Sequence, residues 1–146
     1  MKNIIDIPPI WFFLCAFAAW FLAKVWPVYQ VDVSNWAVGV LVGAGVYLII
    51  WSALWFWRKK TPIEPRHTPK TLVVEGPYKI NRNPIYTGFT VILLGIALWV
   101  GALTALFPVL AFPFIINSRF VKGEESRIRE EFGDEAEEYF SRTRRW

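Results

Sequence analysis

Two groups of residues have the types and spacing to do chemistry. The first is Gly76-Pro77-Tyr78 followed by Arg82-Asn83-Pro84-Ile85-Tyr86-Thr87-Gly88. Glycine and proline fix the backbone here, where a polar loop gives way to a long apolar run. Pro84 suits the first turn of a helix, where a missing N–H costs nothing. The free N–H groups of such a helix start favour an anionic group, and Tyr78 and Tyr86 offer faces for a flat ring. The plain alternative is a well-made loop-to-helix junction with interfacial tyrosines. The second group is Glu124-Glu125, at the far end of the apolar run, where carboxylates are costly unless solvated, paired or used. Glu125 and Arg129 have the spacing of an ordinary i,i+4 pair. Glu124 has no such partner and is the better candidate to face a cation. Arg119, a turn or so earlier, could hold an anionic substrate group.

The elements that must position these residues are apolar helices. Residues 8–28 form one apolar stretch with Pro8-Pro9 in its first turn, long enough for a first span. It reads as a span rather than a secretory signal, because only Lys2 precedes it, Asp6 offsets that charge, and no small-x-small cleavage site follows. Residues 36–57 give 22 uncharged positions and a second span. Trp51, Trp55 and Trp57 lie at its far end, where an aromatic belt belongs. Residues 85–117 carry no charge over 33 positions, too long for one span and enough for two short ones. The spacing predicts a tight helical hairpin turning at Gly101, with arms 85–99 and 102–120. Pro108 and Pro113 fall in the second arm, where membrane helices tolerate them. In the tail, 121–146, Ile128, Phe132, Ala136, Tyr139 and Phe140 recur at helical spacing, which predicts an amphipathic helix at the membrane surface. Gly133 can close one helix, and Asp134 with Glu137 can open another as a capping box.

Composition supports this all-α membrane architecture of four spans. The chain has 146 residues, 55% of them hydrophobic and only 19% charged, with nine Trp. A soluble domain of that size buries roughly two-thirds of its surface and would leave much of this apolar content in water. The 58–84 loop concentrates basic residues, so the positive-inside rule makes its side cytoplasmic. Four spans then put both termini and the loop on that side. The basic excess is thus explained without nucleic-acid binding. Cys15 lies in an apolar run and reads as a small buried hydrophobe. His67 has neither Cys nor a second His beside it, so no metal site is expected and a solvated loop residue is the default. No GxGxxG, Walker loop, Ser–His–Asp set or zinc spacing occurs. Any cofactor must be held by loops against the helical bundle.

The run Leu72-Val73-Val74-Glu75-Gly76-Pro77-Tyr78, then Arg82 to Gly88, resembles the signature of the isoprenylcysteine carboxyl methyltransferase family, itself similar to the phospholipid methyltransferases. Glu124-Glu125 through Phe132-Gly133 to Tyr139 and Arg142 is similar to that family's second signature. The resemblance covers about residues 60–146 and implies an integral membrane enzyme that uses S-adenosylmethionine. By position, the implied cofactor contacts are Lys70, Thr71, Leu72, Val73, Tyr78, Asn83, Pro84, Ile85, Tyr86 and Glu124. Glu124 and Arg119 are the residues expected to act on the reacting groups. Arg119 stands one residue from the family's substrate-binding arginine, whose matching position is Phe120. Asn83 replaces the His found in many members and cannot titrate near neutral pH. The expected partner is a lipophilic or lipid-attached acceptor among membrane lipids. A carboxylate acceptor is already a nucleophile at pH 7, whereas an amine must lose a proton, so carboxyl O-methylation is favoured. Phospholipid N-methylation is the alternative with the same cofactor, and a non-catalytic membrane binding or assembly protein is the alternative without one.

Overall fold

The computed structural model describes residues 6–62 and 70–146. His67 and its expected loop setting lie outside them. Five helices carry the fold: α1 (Pro8–Val25), α2 (Asn35–Arg58), α3 (Pro84–Val100), α4 (Leu106–Ile116) and α5 (Lys122–Arg142). No β-strand occurs among the described residues, which hold only two isolated bridges.

The helix ends follow from local chemistry. Pro8 and Pro9 open α1. It ends at Val25 because Trp26 precedes Pro27 and is steered out of the helical region. Ser34 caps α2, its Oγ accepting from the Ala37 N–H at 3.4 Å. Pro84 takes the first turn of α3, and Gly101 ends that helix in the left-handed region.

The last part of the chain differs from the expected hairpin arm followed by a separate tail helix. A short 3-10 turn, Leu103–Ala105, leads into α4. A π-helical turn, Asn117–Val121, then joins α4 directly to α5. The charges at Arg119 and Lys122 do not stop the helix, because a helix leaving an apolar layer for a polar one needs no break in its hydrogen-bond ladder. The break comes later, at Gly133, whose φ of 49° and ψ of −120° kink α5. The expected capping box beyond it is not made by Glu137, which instead accepts from Arg129 Nε at 2.7 Å.

Three helices are long and apolar enough to cross a membrane: Pro8–Val25, Asn35–Arg58 and the run Leu103–Arg142, kinked at Gly133. The apolar α3 has 17 residues, or roughly 25 Å of rise. The core forms where α1, α3 and α4 meet, with Phe12, Cys15 and Ala19 against Leu93, Ala97, Phe112 and Ile116. Phe12, Phe89 and Phe112 make a three-ring contact, with centroids 5.1 to 6.5 Å apart. α2 packs along α3 through two glycines. A Cβ at Gly88 would stand 2.8 Å from the Gly45 carbonyl oxygen, and one at Gly45 would stand 2.7 Å from that of Gly88. Outward faces are apolar too, including Phe13, Phe17 and Phe21 of α1, Tyr47 and Ile50 of α2, and Leu110 and Phe114 of α4. Helices greasy on both sides are the form a chain takes when lipid is its solvent.

At one end of the bundle the two interhelical turns hold each other. Val31 N–H donates to the Gly101 carbonyl at 2.7 Å, and Thr104 Oγ1 to that of Trp26 at 2.8 Å. The opposite end carries the loop before α3, the π turn and α5.

Candidate active site

A cavity of about 470 Å³ opens at that second end. This is within the range of small-molecule sites. Its walls come from five places, one of them the end of α2 and the chain just after it, with Phe56 and Pro62. The loop contributes Thr71, Leu72, Val73 and Tyr78; the start of α3 contributes Asn83, Pro84, Ile85, Tyr86 and Phe89. α5 contributes Glu124, Glu125, Arg127, Ile128, Tyr139 and Phe140, and the chain entering α1 contributes Ile7, Pro8 and Pro9.

The loop is shaped by Gly76. Its φ is +59°, and a Cβ there would lie 1.9 Å from Trp55 Nε1, so only glycine lets the loop turn against α2. Lys59 pairs with Glu75, fixing the end of α2 to the same turn. Tyr78, delivered by the 3-10 turn Gly76–Lys79, is buried against Phe56, with ring centroids 5.4 Å apart. Burial, with Tyr139 and Glu124 nearby, pushes its phenol well above the usual range, so it stays neutral.

Glu124 is the centre of the site. Tyr86 Oη donates to its Oε1 at 2.7 Å, joining two motifs 38 residues apart in sequence. Burial raises the Glu124 pKa above the ordinary carboxylate range. The Tyr86 hydrogen bond and the Arg127 charge pull it back in part, and Glu125 adds to the rise. A carboxylate held in this way is avid for a cation.

Glu125 has a different task, and its expected pairing with Arg129 is not formed. Arg145 grips it with Nε on Oε1 at 3.0 Å and Nη2 on Oε2 at 2.6 Å. Arg82 Nε stands 3.3 Å from Oε1. Arg82 Nη1 also donates to the carbonyls of Phe140 and Thr143, both at 2.9 Å. Asn83 Nδ2 donates to the Arg145 carbonyl at 2.8 Å, and Tyr139 Oη to that of Tyr78 at 2.8 Å. The final residues therefore strap across the loop and the start of α3. Glu125 is drawn away from Arg129 because a bidentate guanidinium in a buried setting outcompetes an exposed helical pair.

Nine of the expected contacts line the cavity together: Thr71, Leu72, Val73, Tyr78, Asn83, Pro84, Ile85, Tyr86 and Glu124. Lys70 and Arg119 are not among its walls. Lys70 is exposed, and its backbone N–H donates to Thr61 Oγ1 at 2.8 Å. Arg119 sits in the π turn, its Nη1 3.2 Å from Asp6 Oδ2 and its guanidinium over the Trp11 ring at 4.5 Å. Sequence reasoning placed Arg82 in the first motif without giving it a role, and it did not single out Arg127 or Arg145. Arg127 was within reach of the i,i+3 spacing from Glu124. The return of Arg145 over 20 residues left no local signal.

The donor set fits a compact, partly charged ligand: apolar and aromatic walls, two carboxylates (Glu125 already held by arginines) and two guanidiniums, Arg82 and Arg127. Apolar helices with such a cavity at one end of the bundle define a membrane protein with a small-molecule site. The profile of the phospholipid methyltransferase family matches residues 33–135, and the chain belongs to that family. Membership implies a methyltransferase acting on lipid-like substrates. A protein of Haemophilus influenzae, named only as uncharacterized, is 36% identical over 62 residues, covering 42% of this chain and 98% of that relative. No solved structure matches the chain.

Proposed function

We propose that this protein is a four-span membrane enzyme that uses S-adenosylmethionine to methylate a lipid-like acceptor at the cytoplasmic interface, with both termini on that side. The observation that carries the reading is the Tyr86–Glu124 contact inside a cavity walled by both motif segments. In this reading Thr71, Leu72, Val73, Ile85 and Tyr78 enclose the cofactor's flat and apolar parts, and Glu124 faces its cationic end. When bound, S-adenosylmethionine supplies an electrophilic methyl group open to direct displacement. The residues around it contribute by positioning, which is where most of the rate gain for such a displacement lies. The carboxyl-terminal strap keeps water from the loop side, and the apolar entry by Ile7, Pro8, Pro9 and Phe89 gives an acceptor a path from lipid.

A carboxylate acceptor is favoured, because it needs no base. The family's description makes a phospholipid amine the second reading. Purified protein in lipid vesicles with methyl-labelled cofactor separates the two. Alkali-labile label released as methanol marks a methyl ester; alkali-stable label on a headgroup marks N-methylation. No transfer to any lipid, with no cofactor binding, would leave the membrane binding or assembly alternative.

A further inference from the structure

The cavity holds one charged group that the fold does not use. Arg127 lines it, half-buried, three residues after Glu124 on the same face of α5. Arg82 and Arg145 are committed to Glu125 and to backbone carbonyls. Arg127 makes no hydrogen bond or ion pair among the described residues. Its side chain folds back along the helix, since a Cβ at Gly123 would lie 3.4 Å from Nη1. Its charge is felt at both Glu124 and the Tyr86 phenol. A guanidinium that borders an apolar cavity near Glu124, yet makes no direct pair with it, is free to take an anion from outside, and its planar fork matches a carboxylate.

We propose that Glu124 and Arg127 form a matched pair that reads a free amino-acid zwitterion, Glu124 taking the ammonium and Arg127 the carboxylate of the cofactor's amino-acid end. The inference rests on the proposed cofactor and gives a role to Arg127, which lies within the second motif segment but carried none there. Side chains at i and i+3 are neighbours on a helix, a separation that suits two charges borne on one α-carbon. A carboxylate could also come from the acceptor, so the test compares the two sources.

The measurement is calorimetric binding to the full chain in detergent near neutral pH. The probes are S-adenosylhomocysteine, 5′-methylthioadenosine, which lacks the amino-acid end, and decanoate as a carboxylate amphiphile. Wild type binds the first more tightly than the second. Arg127→Gln weakens S-adenosylhomocysteine by about ten- to a hundredfold, the loss expected for a charged hydrogen bond. It leaves 5′-methylthioadenosine within about twofold, which also shows that the cavity is intact. Arg127→Lys recovers part of the loss. Unchanged S-adenosylhomocysteine affinity in Arg127→Gln overturns the inference, and if decanoate affinity falls at the same time the guanidinium serves the acceptor. Equal losses for both nucleosides overturn it too, because the residue would then only shape the wall. A wild type that binds neither nucleoside contradicts the proposed function itself.

Discussion

Glu124 lies between a phenol that donates to it and a guanidinium that faces it, in a setting that disfavours its charge. Two predictions belong to this one side chain. Its folded pKa is raised, so protonation favours the folded form. Stability from this group is fully present below its unfolded pKa and is lost as pH rises through the folded one. Ligand binding runs the other way. A cation is held by the ionised form, so affinity for S-adenosylhomocysteine is high above the raised pKa and falls as pH drops through it. Titration calorimetry across pH should place that midpoint above the ordinary carboxylate range, and Glu124→Gln should flatten the profile. Tyr86→Phe removes a hydrogen bond that holds the pKa down, so its midpoint should move further up. A midpoint that stays put would show that the phenol does not stabilise the carboxylate. Glu124 and Tyr86 were legible in sequence because each stands at a change from polar to apolar chain. The partner of Glu125 was not, since nothing local to Arg145 shows that the chain returns.

Helix starts were legible wherever Pro, Ser or a charge bounds an apolar run, as at Pro8, Ser34 and Pro84. The join of α4 to α5 was not, because a π turn leaves no mark in composition and Arg119 with Lys122 looks like a stop. Two element-level contacts can be tested. Gly88→Ala places a Cβ 2.6 Å from Ile49 Cγ1 and 2.8 Å from the Gly45 carbonyl, so α2 and α3 must separate. Thermal unfolding in detergent should show a loss of about 1–3 kcal/mol. Arg145→Ala leaves Glu125, 4% exposed, with Arg82 as its remaining cation. It should cost about 1–3 kcal/mol and also weaken S-adenosylhomocysteine, because the strap braces Arg82 and Asn83. Full stability in Arg145→Ala would show that the strap does not hold the site together.

For the whole molecule, one end of the bundle is closed by paired turns and the other carries the cavity. In the proposed four-span arrangement, Asp32 lies on the side opposite Ser141. A membrane-impermeant thiol reagent should label Asp32→Cys from outside the cell and Ser141→Cys only after the membrane is opened; the buried Cys15 should stay silent. Labelling of both from one side would remove a span from the account. The apolar composition foretold a helical membrane chain, and the family match over residues 33–135 agrees with it. What composition could not supply was the way one end gathers a loop, a helix start and a returning tail around a single cavity.

The central claim is that this cavity binds S-adenosylmethionine through Glu124. Calorimetric titration of the wild type and of Glu124→Ala with S-adenosylhomocysteine tests it most directly. The account predicts one site per chain in the wild type, and affinity lower by about ten- to a hundredfold in the variant. No binding by the wild type, or equal binding by both proteins, would contradict it.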